Sequence, residues 1–375
     1  MAEPSRLLVV LPSAGGGGAE RATVDLLRAL DRRRFRITLA LFSRQGSFLS
    51  QLPDDIDLHD LRGRQSYDVR LIWRLARLLQ HKQPDVVFSV LRYTNLITLL
   101  AGLLVRSPAR LVVNEQNLPS AEFALFGGGR VKAWFVRRLY PRAARVTCIA
   151  DGIAHEMVTG YGVPGGRVEV IPNPVDVARV RLMGSSPPDH PWFRQPQPVI
   201  VAVGRLHPQK GFDYLIRAFA EVRRILPCRL MILGEGAQRC ELERLISNQG
   251  LVADVQLAGF QDNPYSYMAH ATAFVLSSLY EGFGNVLVEA LALGTPVIST
   301  RCPVGPLEIL EEEKTGILVP PADEHALAGA ILRVVQDELL RGTLSSNGPT
   351  RARTYRLESV VARYETLFAG LAEAA

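Results

Sequence analysis

Short apolar runs rich in β-branched and aromatic residues alternate with stretches of helix length along most of this 375-residue chain. Near-continuous apolar runs of this kind indicate strands that are buried on both faces. In the first half the runs are RLLVVL (6–11), FRITLALF (35–42), DVVFSVL (85–91), RLVVN (110–114), RVTCIA (145–150) and RVEVIP (167–172). Strands that alternate with helices favour a parallel sheet covered by helices on both faces.

The pattern breaks once and then begins again. Residues 184–198, GSSPPDHPWFRQPQP, are rich in proline and polar residues, which predicts a linker. The second series is PVIVAVG (198–204), CRLMILG (228–234), DVQLAGF (254–260), AFVLSS (273–278), PVIST (296–300) and GILVP (316–320). The sequence therefore predicts an α/β protein of two Rossmann-like, doubly wound domains that face a central cleft, where the carboxyl ends of both sheets would bind ligand.

These runs give the predicted domain bounds. Residues 1–183 form an N-terminal domain, 184–198 the linker and 199–353 a C-terminal domain. Residues 354–375 form a final amphipathic helix that is able to cross back to the N-terminal domain.

The spacing of the cysteines and the hydropathy of the chain indicate where in the cell the protein is located. The four cysteines are far apart and form no C-x-x-C pair, which argues against a disulfide framework or a structural zinc site. The longest apolar run, LITLLAGLLV (96–105), has about half of the roughly 20 residues that a membrane span requires, so it predicts a buried helix. We expect a cytoplasmic protein, peripheral at most on the cytoplasmic face of a membrane.

Positive charge is concentrated in the first half of the chain. Residues 1–195 contain 27 Lys and Arg against 17 Asp and Glu, and the remainder 16 against 20. Such an excess suggests an anionic partner. In GGGRVKAWFVRRLYPRAAR (127–145), basic residues interleave with Trp134, Phe135, Leu139 and Tyr140, as in a helix on an anionic membrane surface. The alternative is an ordinary surface helix. No nucleic-acid recognition motif accompanies these charges, so we expect no nucleic-acid partner.

The stretch EGFGNVLVEALALG (281–294) contains one carboxylate, Glu289, inside an otherwise apolar helix. We take Asn285 as its N-cap and Gly294 as the residue that ends it. A helix that is apolar all round is buried, and a buried carboxylate needs donors such as amides, an arginine or ligand hydroxyls. The alternative is a glutamate at the wet edge of a half-buried helix. Glu281 precedes the same helix, and two carboxylates beside free helix amides would suit a sugar or a sugar nucleotide.

Three further loops follow predicted strands. GRLHPQKG (204–211) carries Arg205 and Lys210, two cations suited to phosphate, although a solvated loop is the alternative. SAGGGG (13–18) leads into a helix and could cradle phosphate, but it lacks the G-x-G-x-x-G pattern. NEQN (114–117) ends a strand and would face the predicted cleft, unless it is only a polar turn. We find no metal site with plausible ligand spacing.

Together these segments resemble the family-4 retaining glycosyltransferases (glycosyl transferases group 1), which have the GT-B fold. The resemblance spans nearly the whole chain. It is carried by GGGGAER (15–21), VIPNPVD (170–176), VGRLHPQKG (203–211), LGEG (233–236), LAGF (257–260), EGFGNVLVEALALGTPVIST (281–300) and RCPVGPLEIL (301–310). The combination of E-x(7)-E with GRL-x-x-x-KG is specific.

The resemblance implies roles for individual positions. Arg205 and Lys210 would hold the donor diphosphate, and with Glu281 they would form the catalytic set. Glu289 would accept hydrogen bonds from ribose hydroxyls. The other donor-binding positions would be Gly15, Gly16, Gly17, Gly18, Gly236, Gly259, Phe260, Phe283, Gly284 and Asn285, and the acceptor-side positions Glu115, Gln116 and Asn117.

The implied activity is metal-free and cofactor-free transfer of a hexosyl or N-acetylhexosaminyl group, with retention. The donor would be a nucleotide sugar, with UDP favoured, and the acceptor a lipid-linked saccharide or polysaccharide precursor. The alternatives are a sugar-nucleotide epimerase or glycosyl phosphorylase on the same fold, or a non-catalytic sugar-nucleotide-binding partner subunit. Two positions depart from similar proteins, which often have Arg or His at Gln116 and a charged residue at Leu307.

Overall fold

The computed structural model describes residues 3–15, 17–63, 68–126 and 129–374. The chain forms two compact units, Met1–Val175 with Leu357–Ala375, and Asp176–Arg356. The segment 184–198 therefore belongs to the second unit, and the chain passes between the units after Val175 and again after Arg356. The preceding helix already packs inside the second unit, where Arg181 Nε donates to the carbonyl of Ala292 at 3.0 Å.

The first unit contains a seven-stranded parallel sheet in the order β3-β2-β1-β4-β5-β6-β7. The strands are β1 (Ser5–Leu11), β2 (Phe35–Leu41), β3 (Asp57–Asp60), β4 (Val86–Val90), β5 (Arg110–Glu115), β6 (Arg145–Cys148) and β7 (Val168–Val170). The helices are α1 (Gly18–Ala29), α2 (Arg70–Lys82), α3 (Arg92–Val105), α4 (Pro119–Phe126), α5 (Gly129–Leu139) and α6 (Asp151–Thr159). All six predicted strands are present. Sequence reasoning missed β3, because its residues DLHD lack an apolar run and pair only with β2 at the sheet edge.

The second unit contains a six-stranded parallel sheet in the order β10-β9-β8-β11-β12-β13. The strands are β8 (Val199–Val203), β9 (Arg229–Leu233), β10 (Val255–Gly259), β11 (Ala273–Leu276), β12 (Val297–Thr300) and β13 (Ile317–Val319). The helices are α7 (Val177–Gly184), α8 (Phe212–Ile225), α9 (Arg239–Asn248), α10 (Pro264–Ala269), α11 (Asn285–Leu293), α12 (Pro306–Ile309), α13 (Glu324–Gln336) and α14 (Glu338–Ala352). The prediction of two doubly wound parallel-sheet domains is confirmed.

The first unit has two apolar cores, one on each face of the sheet, and alternate residues of β1 contribute to each. Leu7, Val9 and Leu11 of β1 pack on one side with α1 and with the last helix, α15 (Leu357–Glu373). Leu8 and Val10 pack on the other side with α2 and α3. This is the two-sided burial that near-continuous apolar strands predict.

The last helix belongs to the first unit. Phe368 of α15 is fully buried between Phe35 and Phe88, with ring centroids 6.2 and 5.3 Å away. Tyr364 packs in the same cluster, and its hydroxyl accepts a hydrogen bond from Asn114 Nδ2 at 3.2 Å. The C-terminal residues therefore complete a core that begins with β1.

The apolar run 96–105 lies in α3, as predicted, but it is not buried throughout. Ile97, Leu99 and Ala101 are buried, whereas Leu103 and Leu104 at the end of the helix are exposed. Among the described residues, no helix has both the length and the hydropathy that a membrane crossing needs.

We expect Phe368→Ala to lower the free energy of unfolding of the first unit by about 3–5 kcal/mol, because it leaves a cavity among packed aromatic rings. Urea denaturation followed by circular dichroism would measure the change. Leu339→Ala is the control, since Leu339 is largely exposed and its loss should cost under about 0.5 kcal/mol. Equal losses in the two variants would contradict this packing.

Candidate active site

Parallel pairing brings two distant loops together in the second unit. β8 pairs with β11 at the point where the strand order reverses, so the loops after these strands leave the same edge of the sheet. In doubly wound folds ligands bind at such a switch point. The first loop contains Arg205 and Lys210, and the second contains Glu281.

Lys210 and Glu281 form a mostly buried ion pair between these loops. Lys210 Nζ lies 2.5 Å from Glu281 Oε1, and the two side chains are 15% and 8% exposed. The Ser278 hydroxyl donates to the same carboxylate oxygen at 2.6 Å. Because the ammonium and a hydroxyl both donate to this carboxylate, the carboxylate and the lysine are held in one relative orientation.

Hydrogen bonds hold the two loops together around this pair. The Ser277 hydroxyl donates to the carbonyl of Lys210 at 2.8 Å. The amide of Leu279 donates to the carbonyl of Gln209 at 2.8 Å, and Gln209 Nε2 donates to the carbonyl of Tyr280 at 3.0 Å. The backbone on both sides of Lys210 is thus fixed by the neighbouring loop.

Arg205 adds a second positive charge on the first loop. Its side chain is exposed, and among the described residues no acidic group forms an ion pair with it. His207 lies between the two cations, and burial together with the charges of Arg205 and Lys210 holds the pKa of its imidazole below the usual value. The loop therefore presents positive charge at neutral pH without a contribution from the histidine.

Glu289 is buried in α11, which excludes the alternative of a wet helix edge. It is 6% exposed, and its Oε1 accepts a hydrogen bond from the Tyr265 hydroxyl at 3.2 Å. Tyr265 belongs to α10, so the protein itself supplies one of the hydrogen-bond donors that a buried carboxylate needs.

The predicted cap of α11 was wrong by one residue: Gly284 is the cap at φ 92°, and Asn285 is the first helical residue. Glycine takes that left-handed conformation without steric cost. Gly294 ends the helix as predicted, at φ 72°.

The remaining predicted donor-binding positions of the second unit follow its strands. Gly236 is exposed after β9, and a Cβ there would lie 2.3 Å from the carbonyl oxygen of Leu206, so packing between two loops also requires this glycine. Gly259 ends β10, and the Phe260 ring beyond it is exposed. The Phe283 side chain is buried against Tyr355, with ring centroids 5.2 Å apart, so only its backbone could meet a ligand.

In the first unit, the glycine loop follows β1. Gly17 is the N-cap of α1 and Gly18 its first residue, while Gly15 precedes them and Gly16 lies outside the described residues. A hydrogen bond connects this loop to the segment after β2, because the amide of Ala14 donates to the carbonyl of Gln45 at 2.9 Å. A helix start at the end of a central strand is a suitable place for an anion.

The NEQN segment is a buried network, which sequence reasoning did not foresee. Glu115 is 1% exposed, and its carboxylate accepts from Arg92 at 2.8 and 3.2 Å and from the Tyr140 hydroxyl at 2.8 Å. Gln116 and Asn173 exchange two hydrogen bonds of 2.9 and 3.1 Å. The carbonyl of Asn117 accepts from Arg92 at 3.1 Å. The polar side chains that we expected to be open to a ligand therefore form hydrogen bonds with other residues of the same unit.

Arg92 is the centre of this network. Besides Glu115, it pairs with Glu122 Oε2 of α4 at 2.9 Å, and its guanidinium lies 4.8 Å from the Phe123 ring centroid. The two carboxylates raise the pKa of Arg92 against the opposing effect of burial. Burial raises the pKa of Glu122 despite the attraction of Arg92. An arginine directly after an apolar strand was the only sequence signal for this cluster.

The helix predicted at a membrane surface divides into two parts. Val131, Trp134 and Phe135 of α5 are exposed, together with Arg130 and Arg138. Leu139 and Tyr140 are buried, which corrects their assignment to the interface, because they pack into the first unit and Tyr140 joins the network of Glu115.

Two features of the second unit lie apart from this site. A cavity of about 620 Å³ opens at the amino ends of the strands, where it is lined by residues such as Phe193, Val199, Thr272 and Arg341. Among the described residues, one group has the geometry to hold a metal ion, Glu221 with Glu324 and His325, on α8 and α13. In that group His325 pairs with Glu221 at 2.8 Å, and this contact raises the pKa of the imidazole.

Comparison with known proteins covers both units. The model of Glycosyltransferase Family 4 matches residues 16–179, and that of Glycosyl transferases group 1 matches residues 197–337. A Campylobacter jejuni protein is 28% identical over 360 residues, covering 93% of this chain and 95% of that protein. Its name is N-acetylgalactosamine-N,N'-diacetylbacillosaminyl-diphospho-undecaprenol 4-alpha-N-acetylgalactosaminyltransferase. The Rhizobium meliloti lipopolysaccharide core biosynthesis glycosyltransferase LpsD is 29% identical over 358 residues, covering 92% of each chain.

Solved structures show the same fold. Anabaena HepE in complex with UDP and glucose has a TM-score of 0.82 at 21% identity, with 98% of this chain and 100% of that chain covered. Thermosynechococcus elongatus sucrose-phosphate synthase has a TM-score of 0.83 at 19% identity, covering 99% and 100%. The chain therefore has the GT-B fold of two doubly wound domains.

We expect Gly211→Ala to lower the free energy of unfolding by about 1–3 kcal/mol. Gly211 has φ 58°, and a Cβ there would lie 2.3 Å from the carbonyl oxygen of Ser277, so the two loops would be forced apart. Gly329→Ala is the matched control, because Gly329 lies inside α13 with nothing within 4 Å of an added Cβ. It should stabilise the protein by about 0.5–1 kcal/mol, as measured by urea denaturation. A neutral Gly211→Ala would contradict the tight contact between the loops.

Proposed function

Because the chain belongs to the family-4, group 1 glycosyltransferases and is a glycosyltransferase, we propose that it transfers a sugar from a UDP-sugar, with retention of anomeric configuration and without a metal. The Lys210–Glu281 pair, beside Arg205 at the switch point of the second unit, is the observation that carries this proposal. Two cations at a strand end, one of them held in place by Glu281, suit a diphosphate. The carboxylate that holds Lys210 leaves the site with net positive charge.

These cations would act mainly on the leaving group. When the bond between the anomeric carbon and the diphosphate oxygen breaks, negative charge develops on the diphosphate and positive charge on the sugar. Positive charges held at the site stabilise the negative charge on the diphosphate, and they do so most in the transition state. An interaction that is stronger in the transition state than in the ground state lowers the activation barrier. Since Lys210 is already oriented by Glu281, little reorganisation accompanies the step. Arg205 and Lys210 supply the positive charge that a metal ion supplies in other transferases.

Retention requires that the acceptor oxygen attack from the face that the diphosphate leaves. The departing phosphate oxygen would take the proton of the acceptor hydroxyl as the new bond to the anomeric carbon forms. The products would be the glycosylated acceptor and UDP. No protein base is needed for this transfer, and we assign none.

We assign the other donor contacts to residues around α11 and after β9 and β10. Glu281 and the amides at residues 283–285 would contact the sugar and phosphate at the start of the helix. Glu289 would accept from the ribose hydroxyls, in addition to the Tyr265 hydroxyl that donates to its Oε1. Gly236, Gly259 and Phe260 would lie beside the base. Anabaena HepE, which shares the fold, was solved with UDP and supports the choice of nucleotide.

We propose a lipid-linked saccharide or polysaccharide precursor as the acceptor and an N-acetylhexosamine as the donor sugar. The names of two similar Campylobacter jejuni proteins specify N-acetylgalactosaminyl transfer to undecaprenyl-diphosphate-linked saccharides. The basic first half of the chain is consistent with an anionic acceptor at a membrane. Exposed Val131, Trp134 and Phe135 on a helix with basic neighbours support contact with that surface.

A screen of nucleotide sugars tests the activity. UDP-N-acetylhexosamines should raise the thermal unfolding midpoint, and one should be consumed with an undecaprenyl-diphosphate-linked saccharide to give UDP and an α-linked product. Excess EDTA should not change the rate. Without acceptor we expect only slow hydrolysis, so rapid epimerisation of the sugar nucleotide would contradict a transferase of this kind. Binding without turnover under every condition would favour the non-catalytic alternative.

We expect Arg205→Ala and Lys210→Ala each to lower turnover by about 10²-fold or more, comparable to the loss of an oxyanion-hole donor. Steady-state kinetics with the donor identified by the screen would measure the effect. Lys314→Ala is the control, because Lys314 is an exposed lysine paired with Glu311 at 2.6 Å. If both site variants turned over at the rate of this control, the diphosphate would have to bind elsewhere.

We expect Arg130→Gln with Arg138→Gln to weaken binding to vesicles of anionic lipid roughly 10- to 30-fold, since each basic residue near such a surface contributes about 1 kcal/mol. The salt dependence of binding should also become shallower. Vesicle flotation at several salt concentrations would measure both. Arg224→Gln with Arg244→Gln removes two exposed charges from the second unit and should change neither. Equal effects of the two pairs would indicate an ordinary surface helix.

A further inference from the structure

A second helix of the first unit has the surface chemistry of α5. Trp73 of α2 is 62% exposed, with exposed Val69 one turn before it and exposed Arg77 one turn after it. Residues spaced by four lie on one side of a helix, so these three form a single stripe. α2 contains four basic residues, Arg70, Arg74, Arg77 and Lys82, and no acidic one.

α5 repeats this composition. Trp134 is 58% exposed and lies beside exposed Val131 and Phe135. Four basic residues and no acidic one occur in this helix as well, namely Arg130, Lys132, Arg137 and Arg138. Exposed apolar side chains that lie together, unlike single scattered ones, mark interaction surfaces.

Topology places the two helices on the same face of the first sheet. α2 and α3 pack side by side over Leu8 and Val10 of β1, and α5 packs against the other side of α3. Packed helices lie 8–10 Å apart, so α2 and α5 are separated by about 20 Å. Both helices end shortly before a strand begins, at Val86 and Arg145, so both run toward the amino edge of the sheet. Trp73 therefore lies near the carboxyl-edge end of α2, and Trp134 lies at the middle of α5.

We propose that α2 and α5 form a two-point docking face for an anionic lipid bilayer. The docking face consists of Trp73 and Arg77 of α2, the preceding N-cap residue Val69, and Val131, Trp134, Phe135 and Arg138 of α5. Tryptophan is favoured at the level of lipid headgroups, and arginine is attracted to anionic lipids. The inference rests on the proposed lipid-linked acceptor, and it adds α2 and Trp73 to the surface that sequence reasoning found on α5.

Charge favours a bilayer as the partner of this face. The first unit contains 25 Lys and Arg against 18 Asp and Glu, whereas the second contains 18 against 19. Two anchors about 20 Å apart would fix the orientation of the sheet edge above the bilayer, which one helix cannot do. Once one helix has docked, the other binds from a high effective concentration, so the two contributions to binding should multiply.

Tryptophan fluorescence tests the face residue by residue. The chain has three tryptophans, Trp73, Trp134 and Trp192, and Trp192 belongs to the second unit. Variants that keep one of them, with the others changed to Phe, report each position separately. With vesicles of anionic lipid we expect the emission of Trp73 and of Trp134 to shift to the blue and to be quenched by brominated acyl chains. Trp192 should show neither change. A Trp73 signal that stays unchanged on fully bound vesicles would overturn the proposal.

Vesicle partitioning tests whether both helices act together. We expect Trp73→Ala and Trp134→Ala each to weaken partitioning at least about fivefold, and the double variant about 25-fold, with native circular dichroism throughout. Leu339→Ala changes an even more exposed apolar residue, which lies in the second unit, and should have no effect. Loss confined to Trp134→Ala would exclude α2. Self-association that Trp73→Ala abolishes, with unchanged partitioning, would identify a protein interface and overturn the bilayer as partner.

The same variants separate this inference from the proposed function. Partitioning is measured without any sugar nucleotide, and transfer is measured with a detergent-solubilised short-chain acceptor. Trp73→Ala should leave transfer in detergent unchanged and lower transfer to acceptor embedded in vesicles. Normal transfer with no role for Trp73 on vesicles would overturn the docking face alone. Vesicle binding without transfer from any donor would overturn the proposed function alone.

Discussion

The site of the second unit depends on the pairing of β8 with β11. Parallel strands bring all their carboxyl ends to one edge, and the reversal of strand order places the loops after these two strands side by side. Lys210 and Glu281 are 71 residues apart in sequence, yet they form an ion pair there because the sheet fixes both loops. Ser277, Ser278 and Gln209 then hold the geometry with hydrogen bonds to the neighbouring loop. The folded backbone thus positions the charged side chains of this site without a ligand.

Much of this could be predicted from the sequence, because the governing patterns are local. Continuous apolar strands predicted both sheets, and an apolar helix around Glu289 predicted its burial and its need for a donor. The donor itself could not be predicted, since Tyr265 reaches Glu289 only through the packing of α10 on α11. The cap of α11 was misplaced by one residue because Asn and Gly are both favoured there, and only the backbone angle of Gly284 distinguishes them.

The first unit shows where local patterns fail. A polar run such as NEQN has the same appearance in sequence whether its side chains meet a ligand or one another. The outcome depends on Arg92, which follows a different strand, and on Tyr140, which lies in a turn after α5. Breaking one member of such a buried charged network leaves the others without partners, which is costly. For Glu115 and Gln116 we therefore assign a structural contribution that the resemblance alone did not indicate. α4 is attached to the strand ends through the same arginine.

The return of α15 to the first unit has a consequence for how the polypeptide can be divided. Two covalent connections, after Val175 and after Arg356, join the units, so no single proteolytic cut yields the first unit as one continuous fragment. A fragment that stops at Val175 would expose the aromatic surface that Tyr364 and Phe368 cover. A peptide of the last nineteen residues would be its natural complement, and together the two pieces would reconstitute one hydrophobic core.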